Sequence, residues 1–257
     1  RAVDQIFPAR THNIGAEVLR VAGYNHPTEF ADIAFTLRRG EILGFYGLVG
    51  AGRSEVMQAL FGITKPSRGA CMIDGKAAII RSTTEAIAQG IVYVPEDRGR
   101  QGAVKGMAIF QNVTLPSLAR TSRNGFLRLA EEFKLARDYT ARLDLRAASL
   151  DQDVGLLSGG NQQKVVIGKW LGTDPEILLM DEPTAGVDIG TKSEILDLVR
   201  KIADSGKSVI LISSELPELL SVSDRILVLK DGHVSKSLNR EDIPSEEFLQ
   251  LAIQGAA

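Results

Sequence analysis

The chain has 257 residues, of which 44% are hydrophobic and 24% charged, and its formal net charge is −2. This composition is typical of a globular protein with one large domain, or with a core and one subdomain, and it excludes extensive disorder. The small net charge indicates no surface for coating nucleic acid. The single cysteine, Cys71, excludes a disulfide framework and fits a reducing, cytoplasmic compartment.

No apolar run approaches the roughly 18 residues that a bilayer-spanning helix requires, so we expect any membrane role to act through a partner. Residues 1–12 are polar and irregular and begin without methionine. They are expected to be a linker from a preceding part of a longer polypeptide.

The first half of the chain alternates strand and helix signals. Residues 17–37 show weak apolar–polar alternation and predict strands at a sheet edge. A short apolar strand, EILGFYGLVGAG, then enters a glycine-rich turn, and SEVMQALFG predicts a helix that ends at Gly62. The next two strands, GACMI and KAAII, are joined by Asp74-Gly75, which is a strong hairpin signal.

The second half begins with another strand, GIVYVPED, which has a polar exit. Helix formers dominate residues 108–171 and predict a helical insert. Two strands of the buried type, EILLMDEP and SVILISSE, then flank a helix, TKSEILDLVRKIADSG. The segment DRILVLKDGHVSKSL predicts a second Asp-Gly hairpin.

These elements predict an α/β fold with a mainly parallel sheet, an antiparallel β edge and an inserted helical subdomain. Strands that alternate with helices form parallel sheets with right-handed crossovers. We expect residues 13–107 and 172–240 to form the two parts of the core and residues 108–171 to form the helical subdomain. Residues 241–257 are expected to form a C-terminal helix or tail.

The glycine-rich turn is a candidate phosphate site. Its glycines let successive backbone N–H groups point at phosphate oxygens, and the following helix offers its positive end to the same anion. Ser54 is placed to hold Mg²⁺, and Arg53 stands where the pattern G-x-x-x-x-G-K-[ST] has lysine. The candidate phosphate-binding residues are Gly47, Leu48, Val49, Gly50, Ala51, Gly52, Arg53, Ser54 and Glu55.

A second candidate site ends the segment ILLMDE, residues 177–182. Two carboxylates at the end of a buried strand are costly unless a metal or a proton transfer uses them. Asp181 would hold Mg²⁺ through water, and Glu182 would orient or deprotonate an attacking water. Alternatively, Asp181 and Glu182 are simply solvated acids at the end of a strand. The candidate phosphate loop earlier in the same chain disfavours this alternative.

A third candidate site lies in LSGGNQQK, residues 157–164. Ser158 is a typical N-cap residue, and with Gly159 and Gly160 it opens an amphipathic helix whose N-terminus suits an anion. A plain N-cap explains the same residues, and spacing alone does not separate the two interpretations.

Taken together, GLVGAGRSE, LSGGNQQK, ILLMDEPTAGVD and VILISSELPE resemble the nucleotide-binding domain of an ABC transporter over nearly the whole chain. The segments FYGLVGAGRSE, YVPEDRGRQG, LSGGNQQKVVIGKWL and ISSELPE are similar to the C-terminal ATPase half of tandem bacterial importers of ribose, galactose and xylose. The resemblance implies a P-loop NTPase core that binds ATP and Mg²⁺. It also implies an N-terminal ATPase half in the same polypeptide, membrane permease subunits, a periplasmic sugar-binding protein as an indirect partner, and a place at the inner face of the cell membrane.

The resemblance also implies roles for individual residues. Domains of this family pair head to tail, so Ser158, Gly159 and Gly160 would contact the γ-phosphate of a nucleotide on the partner domain, and Gln162 would belong to the same binding set. Asp188 would lie at the seam of the pair. Tyr24 would stack on adenine; a surface-loop position explains this tyrosine nearly as well, and Phe30 is a rival.

Three residues depart from the family pattern around the phosphate loop. Arg53 replaces the lysine, Glu96 replaces a glutamine that reaches Mg²⁺ and water, and Ser214 replaces a histidine that contacts the γ-phosphate. An acid at position 96 would still reach the metal, whereas a serine is shorter than a histidine. A guanidinium needs a larger, fork-shaped space than an ammonium, and a misplacement of about 1 Å can cost about 100-fold in rate.

We therefore expect the chain to bind ATP, to hydrolyse it poorly and to complete the active site of its partner half. The residues to which we assign catalytic roles are Glu182, Arg53, Ser158 and Gly160. A nucleotide-gated structural half, with little or no hydrolysis of its own, remains an open alternative. An ABC-type DNA-repair or translation factor is disfavoured, because the sequence has no zinc-binding cysteines, heptad run or basic surface, and we expect no nucleic-acid partner.

Overall fold

The computed structural model of the protein describes residues 14–243 and residue 248. The predicted linker at residues 1–12 lies outside the described residues. So does most of the predicted C-terminal segment at residues 241–257.

The chain divides into two compact units. The first, here the core unit, contains the described residues up to Tyr93, the segment Glu176–Glu182 and those from Val199 onward. The second, here the helical unit, contains Val94–Pro175 and Pro183–Leu198.

The strands and helices of the described residues have the following bounds. The strands are β1 Glu17–Asn25, β2 Ile33–Arg38, β3 Ile42–Tyr46, β4 Arg68–Ile73, β5 Lys76–Ala78, β6 Ile91–Val94, β7 Ser122–Arg123, β8 Phe126–Leu127, β9 Ile177–Asp181, β10 Ser208–Ile212, β11 Arg225–Lys230 and β12 His233–Asn239. The α-helices are α1 Arg53–Leu60, α2 Thr83–Ala88, α3 Ile109–Thr114, α4 Leu118–Thr121, α5 Leu129–Arg142, α6 Gly159–Leu171, α7 Ile189–Asp204 and α8 Leu216–Val222.

The larger sheet has the strand order β12-β11-β3-β10-β9-β6. Strands β11, β3, β10 and β9 run parallel to one another, and β12 closes one edge by pairing antiparallel with β11. Every residue of β9 and β10 is buried, as expected of strands covered on both faces of a parallel sheet. The predicted α/β fold with a mainly parallel sheet is confirmed.

The smaller sheet is antiparallel, with the order β2-β1-β4-β5, and confirms the predicted antiparallel part of the fold. Its β4–β5 hairpin turns at Asp74-Gly75, where both residues have positive φ, 47° and 73°. The β11–β12 hairpin turns in the same way at Asp231-Gly232, with φ of 49° and 75°. Two successive positive φ angles define the tight turn that Asp-Gly favours.

The helical unit has an apolar core of its own, in which α3, α5 and α6 pack on one another. The rings of Phe110 and Phe133 stack at a centroid distance of 4.2 Å in this core. The short hairpin of β7 and β8 is an element that the sequence did not predict. Among the described residues, no helix is both long and apolar enough to cross a membrane.

Lys169 makes the stability of the helical unit dependent on pH. Its side chain donates to the backbone oxygen of Gly102, lies over the ring of Trp170 and is only 8% exposed. Burial lowers the pKa of Lys169 from 10.5 to about 8. Between these two values the folded chain gives up a proton that the unfolded chain keeps, so the free energy of unfolding rises with pH, by at most about 3 kcal/mol.

Chemical denaturation of the wild type and of Lys169→Met from pH 7 to pH 10.5 measures this effect. We expect the wild type to gain stability relative to the variant as the pH rises through about 8. Lys134→Met, which removes an exposed lysine of α5, serves as the control. A constant difference between the wild type and Lys169→Met over this range would refute the assignment.

Candidate functional site

Three strand ends meet at one edge of the larger sheet. Phe45 of β3 is in register with Ile212 of β10, and Ile212 is in register with Asp181 of β9. Because these strands are parallel, the segments that follow them leave the sheet at the same edge. The segments are the glycine-rich turn after β3, Ser213 and Ser214 after β10, and Glu182 after β9, all in the core unit.

The glycine-rich turn has the backbone that its sequence requires. Gly50 and Gly52 have φ of 81° and 92°, which side chains disfavour. A Cβ atom on Gly47 would lie 2.4 Å from the backbone oxygen of Leu229, so no larger residue fits there. Helix α1 begins directly after the turn, so its unpaired N–H groups face the same space.

Arg53 is turned toward the acidic end of β9. Arg53 as a whole is 8% exposed. Its Nη1 lies 3.7 Å from Oε1 of Glu182 and 3.4 Å from the backbone oxygen of Ser213. The side chains of the ion pair are 9% and 12% exposed, so solvent screens their attraction little. The arginine of the phosphate loop and the proposed water-activating carboxylate are therefore partners in this structure.

Glu182 is held in an unusual backbone conformation. Its φ is 44°, which is rare for a residue with a side chain and costs about 1 kcal/mol. Its N–H donates to the oxygen of Ile212 at 3.0 Å, and the hydroxyl of Ser214 donates to its Oε2 at 3.2 Å. Ser214 thus helps to orient the carboxylate.

Asp181 is 2% exposed, and its Oδ2 accepts a hydrogen bond of 2.8 Å from the hydroxyl of Tyr93. Ser54 lies in the first turn of α1 and is partly exposed. A hydroxyl and a carboxylate at one sheet edge are the oxygen ligands that Mg²⁺ prefers, so the residues present fit this ion. Sequence reasoning missed Tyr93 and Ser213. A lone hydroxyl in the buried strand IVYV, which needs a hydrogen-bond partner, could have indicated Tyr93.

The structure does not support stacking of adenine on Tyr24 or Phe30. Tyr24 is 5% exposed, and burial, together with the neighbouring Cys71 thiol, raises the pKa of its hydroxyl. Phe30 is 3% exposed and packs against the ring of His26 at a centroid distance of 5.6 Å. The segment does lie beside the phosphate loop, since a Cβ atom on Gly52 would be 3.0 Å from the backbone oxygen of Glu29. This segment therefore lies near the phosphate loop, but the rings of Tyr24 and Phe30 are both buried.

The third candidate site opens α6 in the helical unit. Ser158 caps this helix. Its Oγ accepts two hydrogen bonds from Asn161, one from the backbone N–H at 3.4 Å and one from the side-chain amide at 3.0 Å. Gln162, which is predicted to bind nucleotide, donates from its side-chain amide to the backbone oxygen of Leu157 at 2.9 Å. Ser158 is exposed and stands before the first N–H groups of a 13-residue helix. The arrangement suits an approaching anion.

Asp188 caps α7 close to the start of α6. Its Oδ2 accepts from the hydroxyl of Thr191 at 2.6 Å and its Oδ1 from the N–H of Thr191 at 3.0 Å, and these two bonds lower the pKa of the Asp188 carboxyl. A Cβ atom on Gly160 would lie 2.1 Å from Cγ2 of Thr191. The second glycine of the LSGG segment is therefore required, because a larger residue at this position would collide with Thr191 of α7.

Glu96 is exposed and belongs to the helical unit. Its backbone oxygen accepts from the N–H of Arg98 at 3.0 Å. The next residue, Asp97, caps the π-helical turn Arg98–Gly102 by accepting from Gly99 and Arg100. The metal-binding role that we assigned to Glu96 stays a prediction.

The sequence is similar to known ATP-binding proteins. A family model described as "ABC transporter" matches residues 30–185. The ribose import ATP-binding protein RbsA of Roseobacter denitrificans is 62% identical over 252 residues, which cover 98% of this chain and 49% of that protein. The ribose import ATP-binding protein RbsA of Oceanobacillus iheyensis is 42% identical over 255 residues, which cover 99% of this chain and 51% of that protein. The chain spans about half the length of the curated relatives it matches.

Solved structures share the fold. An ATP-binding cassette of an ABC transporter in its ADP conformation superposes with a TM-score of 0.76 at 22% identity, covering 93% of this chain and 95% of that one. An Atm1-family bacterial ABC exporter with ATP bound gives a TM-score of 0.72 at 25% identity, covering 97% of this chain and 44% of that one. With a family match over more than half of its length, and with the phosphate loop and the LSGG segment in place, the chain belongs to the ABC transporter family.

Proposed function

We propose that this chain is the second ATP-binding half of an ABC-type sugar importer. In this proposal it binds ATP at residues 47–55, hydrolyses it slowly, and presents Ser158, Gly159 and Gly160 to the nucleotide of a partner half. Relatives that are 62% and 42% identical are named as ribose import proteins, and the chain spans about half of each, which supports both the cargo and the tandem arrangement.

The observation that carries the proposal is the ion pair between Arg53 and Glu182. A carboxylate that activates water must be within reach of that water, and Glu182 instead lies 3.7 Å from the guanidinium of the phosphate loop. Breaking a buried ion pair of this kind is costly. Arg53 must leave this pair before its guanidinium can bind a phosphate, and Glu182 must leave it before its carboxylate can activate water. Binding by the backbone N–H groups of the loop does not depend on this pair.

Each group would have a separate role when nucleotide is bound. The N–H groups of the loop and of α1 would hold the phosphates, while Ser54 and Asp181 would hold Mg²⁺, which neutralises charge that develops on the phosphates. Tyr93 would keep Asp181 in place through its hydrogen bond. Arg53 would have to leave Glu182 to reach the phosphates, and this rearrangement is our explanation for slow hydrolysis.

The proposed partners follow from the same relatives. The relatives are named as ribose import proteins, so we infer membrane permease subunits as direct partners and a periplasmic sugar-binding protein as an indirect one. The chain would then lie in the cytoplasm against the inner face of the cell membrane. It would pass the closure of the ATPase pair to the permease.

Steady-state ATP hydrolysis by the complete two-half protein with its permease tests this function. We expect Ser158→Ala to lower the rate about ten-fold, because one hydrogen bond to a charged phosphate is lost. We expect Glu182→Gln to change the rate by only about two-fold, because most turnover occurs at the other loop. Ser149→Ala, an exposed serine in the helical unit, should match the wild type.

The reverse pattern, with Glu182→Gln inactive and Ser158→Ala active, would contradict the proposal. Single-turnover hydrolysis is then measured with the phosphate loop of the partner half disabled. Slow hydrolysis in this experiment supports a working site at residues 47–55, and no hydrolysis supports the alternative of a structural half. The ion pair of Arg53 is the observation that keeps this alternative open.

A further inference from the structure

Arg98 joins two loops of the helical unit that sequence reasoning treats as separate. It begins the π-helical turn Arg98–Gly102, and its guanidinium reaches the segment before α7. Nη1 donates to the backbone oxygen of Ala185 at 2.7 Å, and Nη2 donates to the backbone oxygen of Gly186 at 3.2 Å. Two donors of one rigid fork thus hold two consecutive carbonyls.

The same guanidinium lies against the first residue of α6. A Cβ atom on Gly159 would be 2.6 Å from Nη2 of Arg98 and 3.4 Å from the oxygen of Gly186. The other end of the π-helical turn also contacts α6, since a Cβ atom on Gly102 would be 2.9 Å from Cγ2 of Val166. Arg98 therefore fills the space between the start of α6 and the segment 183–188.

The contacts are specific to arginine at this position. A lysine carries a single ammonium on a flexible stem and cannot present a fixed fork to two neighbouring carbonyls. Arg100, two residues further on, provides the contrast: its side chain is 89% exposed and is 3.8 Å from Asp97. Only the first of these two arginines lies between the segments.

We propose that Arg98 is a positioning residue that fixes the segment 183–188 against the start of α6, so that Ser158 is presented to the partner's nucleotide in one geometry. The inference rests on the proposed function, in which Ser158 acts on a nucleotide bound by another half. Asp188 caps α7 at the far end of the same segment, where its carboxylate accepts from Thr191 in the first turn of that helix. The ligand of this arrangement is the nucleoside triphosphate of the partner half.

The test uses the complete two-half protein with its permease and compares Arg98→Ala, Arg98→Lys and the control Arg100→Ala. We expect Arg98→Ala to lower kcat about ten-fold while KM for ATP changes little, because positioning errors act on the transition state. Arg98→Lys should recover part of the loss, since it keeps one donor, and Arg100→Ala should equal the wild type. Binding of a fluorescent ATP analogue at residues 47–55 should be the same in all variants.

A purely structural role would show a different result. It would lower the unfolding temperature and the folded fraction, with an unchanged kcat per folded molecule, and that result would overturn the inference. A double-mutant cycle with Gly159→Ala adds a second criterion: if Arg98 acts on α6 through this contact, the two losses are less than additive. Fully additive losses would also overturn it.

Ser158→Ala, measured alongside, separates the two proposals. If Ser158→Ala loses activity and Arg98→Ala does not, the inference about Arg98 fails and the proposed function stands. If neither variant loses activity, the proposed function itself fails.

Discussion

Glu182→Gln is expected to destabilise the nucleotide-free chain by about 3 kcal/mol and to raise its affinity for ADP at least about ten-fold. In the wild type the carboxylate of Glu182 is the counter-charge of Arg53, and both side chains are largely buried. Replacing it with an amide of nearly the same shape removes the charge and keeps the packing. The guanidinium is then left buried without its partner, which is the costly way to break such a pair.

A bound diphosphate would supply the missing negative charge. The variant therefore gains more binding free energy from nucleotide than the wild type does. Because a ligand that binds the folded chain stabilises it, the unfolding temperature of the variant should rise more steeply with nucleotide concentration. ADP is the preferred probe because it lacks the γ-phosphate that the partner half contacts in the proposed function. An increase in affinity for ADP then reports the phosphate loop of this chain alone.

Isothermal titration calorimetry and thermal unfolding of the chain, with and without ADP, measure both effects. Ser214→Ala is the matched control, because it removes the 3.2 Å hydrogen bond to Glu182 and leaves the carboxylate charged. We expect that control to cost about 1 kcal/mol and to leave the ADP affinity unchanged. A Glu182→Gln variant as stable as the wild type, with the same affinity for ADP, would show that the ion pair does not restrain Arg53.

The sheet and its turns could be predicted from the sequence because each depends on local chemistry. The apolar runs before Tyr46, Asp181 and Ser213 are long enough for buried strands and too short for buried helices. Asp74-Gly75 and Asp231-Gly232 adopt the positive φ angles that only a few residues tolerate. These signals fix the strands, and the parallel alternation with helices brings their carboxyl ends to one edge.

The orientation of Tyr24 could not be predicted, because it depends on an irregularity in β1. Leu19 and Val21 face the interior, so a regular strand would turn Tyr24 outward. The pairing of β1 with β2 shifts register between Val21 and Tyr24, and Gly23 has a φ of 60°. One extra residue in a strand reverses the faces of all that follow, so Tyr24 is buried.

The partners of Arg53 and Arg98 could not be predicted for a different reason. Glu182 and Gly186 are far along the chain from these arginines, and no local pattern indicates which way a long side chain turns. Sequence reasoning located Arg53 through a motif and passed over Arg98, although both lie in segments it had singled out. In each case the guanidinium is directed by tertiary contacts.

Gly160→Ala is expected to lower the ATPase rate of the complete protein about 100-fold, since the added methyl group cannot fit where it falls. It would lie 2.1 Å from Cγ2 and 3.1 Å from Cβ of Thr191. The side chain of Thr191 cannot turn away without breaking the hydrogen bond that its hydroxyl donates to Oδ2 of Asp188. The start of α6 must therefore move off α7, and Ser158 moves with it.

Thr191→Ser supplies the matched suppressor, because it removes Cγ2 and keeps the hydroxyl that donates to Asp188. Alone it should leave hydrolysis close to that of the wild type, and combined with Gly160→Ala it should restore a large part of the lost rate. Nucleotide binding at residues 47–55 should be equal in all three variants. A fully active Gly160→Ala variant, or a double variant no better than Gly160→Ala, would mean that the contact with Thr191 does not set the position of Ser158. Recovery would tie that position to a single methyl group on the neighbouring helix.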